Sequence, residues 1–136
     1  MATVSEKRLS EVDRITEPIS ARRGVSSSRR RERTIELCEC MMDITAALFN
    51  VSSKEMRRSG RTSQEVARVR QIAMYVAHVV LHMSMREVGR GFGRDRTTVV
   101  HACHLIEDMR EEPDFDQVVV MTERVAAAAF RDRLGL

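Results

Sequence analysis

Apolar residues recur at intervals of three and four along most of the chain after residue 33, which is the spacing of amphipathic helices. The first stripe predicts a helix over about 33–50, and a second predicts the longest helix over about 62–81. A last helix is predicted over 118–134, and residues 111–114 before it are predicted as a linker or a helix start. The buried positions expected in the second stripe are Val66, Val69, Ala73, Val76, Ala77 and Val80, whereas Arg68, Arg70, Gln71 and His78 fall outside it.

Capping-box patterns, in which Glu follows Ser or Thr by three residues, mark helix starts at Ser52, Thr62 and Ser84. The helix that follows Ser84 is predicted to end at Val88, because the glycines within 89–93 disfavour helix and tolerate a tight turn. Asp95 is then placed as the N-cap of another helix. The buried positions expected there are Val99, Ala102, Cys103, Ile106 and Met109. A short helix, a tight turn and a second helix form the pattern of a helix-turn-helix unit.

The fold class expected from these elements is all-α. Residues 32–136 form one predicted domain, and residues 1–31, which hold little apolar material, form a predicted disordered basic arm with a short helix at 5–15. The chain is 43% hydrophobic and contains no Trp. That hydrophobic content is too high for disorder throughout, and the shortage of aromatic residues disfavours a β-sandwich or barrel.

Basic residues are concentrated in parts of the chain, although the net charge is only +3. Residues 57–96 carry nine basic and three acidic side chains, and residues 1–34 carry nine and five. Residues 35–56 carry one basic and four acidic side chains, and residues 97–136 carry four and eight. Nearly all the basic residues are arginine, which forms bidentate contacts with phosphates and bases. This distribution predicts one positive face suited to nucleic acid.

Several classes of protein are disfavoured by what the sequence lacks. The first ten residues have no apolar core of a secretory signal, and no apolar run approaches the roughly 18 residues of a membrane span. No G-x-x-x-x-G-K-[ST] loop is present, so we expect no bound nucleotide. Three cysteines fit reduced thiols. We therefore expect a cytoplasmic, nucleoid-associated protein that is not an enzyme, needs no cofactor and contacts no membrane.

The predicted helix-turn-helix unit carries side chains suited to reading DNA. In such units the second helix enters the major groove of double-stranded DNA, with its N-terminal residues on the base edges. Arg96 suits guanine N7 and O6, and Thr97 and Thr98 each offer a hydroxyl and a methyl group. Arg90 and Arg94 lie on the predicted turn. Double-stranded DNA is therefore the expected partner.

Three linked motifs resemble the C-terminal DNA-binding domain (domain IV) of the bacterial replication initiator DnaA. They are V-A-R-V-R-Q-I-A-M-Y at 66–75, F-G-R-D-R-T-T-V at 92–99 after E-V-G at 87–89, and H-A-C at 101–103. The family signature is close to G-G-R-D-H-T-T-V. The resemblance covers about residues 33–134 and includes no nucleotide-binding domain. We therefore expect a free-standing copy of this domain.

The resemblance implies roles for individual residues. The family contacts bases or adjacent phosphates at the positions of Asp95, Arg96, Thr97, Thr98 and His101. It contacts phosphates or the groove at the positions of Arg70, Gln71, His78, Ser84, Met85 and Arg86, and Arg94 lies on the turn beside them. A basic loop in the family also sends an arginine into the minor groove. The aligned residue here is Thr62, so Arg58 or Arg61 would take that contact.

Two signature positions differ from the family. Phe92 stands in place of one glycine, which we expect to shorten the turn and rotate the second helix. Arg96 stands in place of the signature histidine, which favours guanine as the contacted base. These differences leave the target DNA sequence open, but they do not oppose DNA binding.

A zinc site is the main alternative for the cysteines and histidines, which are Cys38, Cys40, Cys103, His101 and His104. Their spacing matches no strong zinc-binding pattern, and Cys103 lies on a predicted buried stripe. A buried thiol is therefore the favoured interpretation, and no metal is expected.

The resulting hypothesis is a sequence-specific DNA-binding protein that recognises a site like the DnaA box and regulates transcription or replication initiation. The alternative is a protein-interaction adaptor that modulates the initiator, with weak or non-specific DNA binding. The acidic C-terminal segment and the Ala-rich last helix would then pair with another protein or with a second copy of the chain.

Overall fold

A computed structural model describes residues 27–134, and within this range it contains α-helices and no strand. The helices are α1 (Ser27–Phe49), α2 (Ser53–Arg57), α3 (Gln64–Val79), α4 (Met85–Phe92), α5 (Arg96–Met109), α6 (Pro113–Ala129) and α7 (Arg131–Leu134). The all-α prediction is confirmed. Residues 1–26 of the predicted arm lie outside the described residues. Residues 27–31, which the sequence assigns to the arm, lie in the first turns of α1, where Arg30 forms an ion pair with Glu87 of α4.

One hydrophobic core joins the helices. α1 packs against α3 and α4, α3 packs against α5, and α6 contacts α1 and α3. The largest fully buried side chains include Met41, Tyr75 and Ile106. α6 begins earlier than predicted because Pro113 occupies its first turn and the Glu112 carboxylate accepts a hydrogen bond from the Phe115 N–H at 2.8 Å.

α3 is more deeply buried than its apolar stripe predicts. It begins after Ser63, which caps it in place of the predicted Thr62, and it is shorter than α1. Arg70 is 8% exposed and His78 is fully buried, so the prediction that both lie outside the buried stripe is wrong. The reason is that α1, α2, α4, α5 and α6 all pack around α3 and cover more of its circumference than one face.

Arg70 and His78 bind backbone carbonyl groups of the protein. Arg70 Nε donates to the Met56 carbonyl oxygen at 2.9 Å, and its Nη2 donates to the Glu55 carbonyl at 3.1 Å. The last carbonyls of a helix as short as α2 need such external donors. His78 Nδ1 lies 2.7 Å from the Met83 carbonyl oxygen, which can only accept, so Nδ1 carries the proton. Arg70 therefore fixes α2 to α3, and His78 fixes the connection between α3 and α4.

α4 continues through the glycines that were predicted to end it. The predicted end at Val88 is wrong, because α4 extends to Phe92 and ends at Gly93, whose φ of +67° is in the left-handed region. A Cβ on Gly91 would lie 2.3 Å from Cys38 Sγ, and a Cβ on Gly89 would lie 2.7 Å from the Arg94 carbonyl oxygen. These two glycines therefore serve close packing against α1 and against the turn, and Gly93 alone ends the helix.

A polar network connects α3, α5 and α6 beside this core. Arg110 Nε donates to Asp116 Oδ1 at 2.6 Å, and Arg110 Nη2 lies 3.1 Å from Glu123 Oε1. Arg110 Nη1 also donates to the Tyr75 hydroxyl at 3.0 Å, and that hydroxyl donates to the Glu107 carboxylate. Burial, with a further contribution from Glu107, raises the pKa of Tyr75, so the hydroxyl stays protonated and can donate. The network fixes α6 to the rest of the domain.

We expect Gly91→Ala to destabilise the protein, although alanine favours helix by about 1 kcal/mol over glycine. The added methyl group has no space beside Cys38, and overpacking of this kind costs about 1–3 kcal/mol. Urea unfolding followed by circular dichroism measures the change. The neighbouring variant Arg90→Ala, at an exposed position, is the control and should stay within about 0.5 kcal/mol of wild type. A Gly91→Ala protein as stable as wild type would contradict the close packing of α1 and α4.

We expect Arg70→Ala to lower the free energy of unfolding by about 1–3 kcal/mol, because the carbonyls of Glu55 and Met56 lose a buried donor. Arg70→Lys should restore only part of the loss, since one ammonium group does not reproduce both guanidinium contacts. Arg68→Ala on the same helix is the control, because among the described residues Arg68 donates to the Gln71 side chain and not to a backbone carbonyl. If the Arg70→Ala and Arg68→Ala variants were equally stable to heat, the Arg70 contacts would not stabilise the protein.

Candidate nucleic-acid interface

α4, a turn over 93–95 and α5 form the predicted helix-turn-helix unit. The Ser84 hydroxyl accepts from the Glu87 N–H at 3.1 Å, and the Glu87 carboxylate accepts from the Ser84 N–H at 3.0 Å, which confirms the capping box. The Arg94 N–H donates to the Gly89 carbonyl at 2.8 Å and closes the turn. Phe92 is helical and 6% exposed, and the turn after it spans residues 93–95, a length typical of helix-turn-helix units. The shortening relative to the family stays a prediction.

α5 presents one polar face to solvent and buries the other. Val99, Ala102, Cys103 and Ile106 are buried as predicted, whereas Met109 is half-buried. The residues predicted to meet bases are exposed, and they are Asp95, Arg96, Thr97, Thr98 and His101. Within the described chain, the Asp95 carboxylate makes no capping hydrogen bond to α5 although it stands at the N-cap position. The start of α5 is therefore exposed, with Asp95 beside its first turn.

The basic loop between α2 and α3 lies beside the turn. Arg58 and Arg61 are exposed, as predicted for residues that contact DNA. Arg94 Nη2 donates to the Arg58 carbonyl oxygen at 2.8 Å, so the turn residue holds the loop in place. Burial lowers the pKa of Arg70, and the positive charge of Arg94 lowers it further. The loop, the turn and the start of α5 thus form one electropositive region.

The remaining predicted contact residues divide into exposed and enclosed positions. Arg86 is exposed on α4. Ser84 is half-buried and engaged in the capping box, and the half-buried Gln71 accepts a hydrogen bond from Arg68 Nη1 at 3.0 Å. Met85 is 4% exposed because the first turn of α4 packs it into the core, and the buried Arg70 and His78 are equally enclosed. For these three side chains the predicted DNA contact stays a prediction, and in this conformation each of them is enclosed by the protein.

Two further residues extend the exposed surface beyond the predicted contact set. Arg90 is exposed one helical turn after Arg86, and His104 is exposed one turn after His101. The sequence indicates this extension, because residues four apart, as Arg86 and Arg90 are, or three apart, as His101 and His104 are, share a helix face.

The cysteines are separate from this surface. Cys38 and Cys103 are buried and Cys40 is exposed. Among the described residues, no group of three or more His, Cys, Asp or Glu side chains is placed to hold a metal ion. Burial, with nearby Glu87, raises the pKa of the Cys38 thiol to about 12, which disfavours the thiolate form that a metal binds. Over the described part of the chain, no helix is long and apolar enough to cross a membrane.

Comparison with known proteins places this geometry in a family. The chain is 39% identical over 99 residues, 72% of its length, to the chromosomal replication initiator protein DnaA of Agrobacterium fabrum (strain C58), of which it covers 19%. A DNA replication initiation factor structure matches with a TM-score of 0.66 and 28% identity over 76% of this chain and 32% of that one. A structure of replication initiator DnaA bound to AMPPCP and single-stranded DNA matches with a TM-score of 0.62 and 25% identity over 80% and 34%.

These matches concern one part of the relatives, since the chain spans about a fifth of the curated relative and about a third of the two solved structures. Residues 38–106, from the middle of α1 through most of α5, match the family described as "Bacterial dnaA protein helix-turn-helix". The matched segment contains the whole of α4, the turn and the exposed start of α5. The chain therefore belongs to the bacterial DnaA helix-turn-helix family.

Proposed function

We propose that the protein binds double-stranded DNA sequence-specifically, with the first turn of α5 in the major groove. The observation that carries this proposal is the exposed run over 95–98 at the start of α5, beside a basic loop and the exposed arginines of α4. Arg96 would contact guanine N7 and O6, and the methyl groups of Thr97 and Thr98 would contact thymine. Membership of a helix-turn-helix family supports this docking.

Phosphate contacts would come from the exposed side chains around that helix. Arg58, Arg61 and Arg86 are exposed on the loop and on α4. The N-terminal N–H groups of α5 add backbone donors and a partial positive charge. Arg94 acts as a positioning residue, because its guanidinium binds the Arg58 carbonyl and thereby places the loop. Such contacts fix orientation, and the base contacts of α5 supply the specificity.

The proposed biological role is regulation of transcription or of replication initiation by occupying sites similar to the DnaA box. The chain is 39% identical to a chromosomal replication initiator protein over the matched region. The protein would therefore compete with an initiator for DNA sites that both recognise. DNA occupancy of this kind needs no catalytic step and places the protein on the nucleoid.

A second candidate function is a protein-interaction adaptor, which the outer face of α6 favours. Met121 is 41% exposed there, beside a shallow groove lined by Val120, Val125, Ala128 and Arg124. In that case a protein would occupy α6, and DNA binding would be weak or independent of sequence. Loss of specific DNA binding on changing α5 separates the two functions, because the adaptor has no such binding to lose.

The decisive experiment is a titration at fixed salt against a duplex with a DnaA box, a scrambled duplex and a random pool. We expect selection from the random pool to enrich a sequence that the protein binds more tightly than the scrambled duplex. Equal affinity for all three would contradict sequence-specific recognition.

We expect Arg96→Ala and Thr97→Ala each to weaken binding to the preferred duplex by about 1–3 kcal/mol, because each removes a base contact. Affinity for the scrambled duplex should change less. Fluorescence anisotropy measures both. Arg124→Ala is the control, since Arg124 is an exposed arginine on α6. If Arg96→Ala and Arg124→Ala reduced specific binding equally, the role of α5 in base recognition would be wrong.

Salt dependence provides an independent prediction. If about six phosphates are neutralised, the logarithm of the association constant should fall against the logarithm of salt concentration with a slope near −5. Anisotropy titrations between about 50 and 200 mM salt measure this slope. A slope near zero would contradict an interface built on arginine–phosphate contacts.

A further inference from the structure

One carboxylate connects the first turn of α1 to the beginning of the helix-turn-helix unit. Glu87 Oε2 lies 3.2 Å from Arg30 Nε, and Glu87 Oε1 accepts the Ser84 N–H at 3.0 Å. The side chains of Arg30 and Glu87 are 31% and 12% exposed, so solvent screens this pair less than a fully exposed ion pair. The first turn of α1 therefore has a defined position beside the N-terminus of α4.

The path of α1 along α4 determines which of its side chains stand beside this site. Cys38 and the Thr34 carbonyl both lie close to Gly91, so residues 30, 34 and 38 form the stripe that meets α4. Arg31 and Arg33 are exposed on the two flanks of that stripe. The exposed carboxylates of α1 lie on the opposite side of the helix, because they are about half a turn away, at Glu32, Glu36 and Glu39.

We propose that Arg31 and Arg33 extend the DNA-binding surface onto α1 by contacting phosphates next to the backbone segment that α4 approaches. This inference rests on the proposed function, in which the exposed Arg86 of α4 contacts the DNA backbone. Arg30, held by Glu87, is the positioning residue for these two side chains. The partner is the phosphate backbone of double-stranded DNA, which arginine binds independently of sequence.

The family match does not assign this surface, because it begins at residue 38, after both arginines. Arg86 and Arg90 are exposed on α4, the helix against which α1 packs, so both helices of this pair carry exposed arginines. The resulting surface would reach flanking phosphates beyond those bound by the loop and α5. It would therefore increase affinity and footprint without changing base preference.

The test compares Arg31→Gln/Arg33→Gln with Arg124→Gln/Arg131→Gln in the full chain. The two double variants remove the same charge from exposed positions, on α1 in one case and on α6 and α7 in the other. Glutamine keeps a strong helix propensity, and circular dichroism verifies that both variants fold. Because both variants lose the same net charge, a difference between them in DNA affinity would show that the effect depends on where the arginines lie.

For the α1 variant, we expect the salt slope to become shallower by about 1.8, which corresponds to two lost phosphate contacts. At about 0.1 M salt this is roughly a tenfold loss of affinity per contact. The loss should be equal for the preferred and the scrambled duplex, so their affinity ratio stays unchanged. Lengthening the duplex at its flanks should strengthen binding of wild type and of the α6/α7 variant more than binding of the α1 variant.

Two results would overturn the inference, and they are distinguishable. If wild type prefers its duplex and both double variants show the same affinity and salt slope, α1 makes no phosphate contact, while the proposed function stands. If wild type binds neither duplex with measurable affinity, the proposed function fails and this inference fails with it.

Discussion

The close approach of α1 and α4 at Gly91 is the constraint on which the exposed surface depends. A Cβ at this position would overlap Cys38, so the axis of α4 can lie against α1 only because the side chain is absent. Gly89 has the same function toward the carbonyl of Arg94, which fixes the turn and hence the start of α5. Each glycine costs about 1 kcal/mol of helix propensity. The burial of neighbours such as Val88 and Met41 offsets this cost.

Arginines within residues 57–96 fall into three groups that contribute differently to the positive field of the protein. Arg57 is 3.0 Å from Asp43, an ion pair that cancels much of its charge at a distance. Arg70 and Arg94 bind carbonyl groups, which carry no net charge, so their positive charges still contribute to the field above the turn. Arg58, Arg61 and Arg86 are exposed and able to meet a phosphate, although Arg58 Nη1 also lies 3.5 Å from Glu55 Oε1. The charge of the segment therefore survives folding largely intact, although fewer of its side chains can reach a ligand.

The features that sequence predicted correctly are those determined by local chemistry. The capping box at Ser84 and the polar outer face of α5 follow from side chains that act within one helix. The errors occurred where tertiary contacts decide. The glycine content predicts a turn at Gly91, whereas the packing that keeps it helical involves Cys38, which lies 53 residues earlier in the chain. His78 was assigned to the surface because helical periodicity does not reveal that a helix is surrounded by neighbours on several sides. The ion pair between Arg30 and Glu87 is likewise a tertiary contact that no local pattern indicates.

The two departures from the family signature have different structural consequences. Phe92 is the buried last residue of α4, and the left-handed conformation that ends the helix belongs to Gly93, so this replacement leaves the turn its three residues. Arg96 is the first residue of α5, and it is exposed and lies outside the core. An arginine there offers a planar fork of donors, whereas a neutral histidine offers one donor and one acceptor. We therefore expect this chain to differ from its relatives in the base that it prefers at one position, with the docking of the unit on DNA retained.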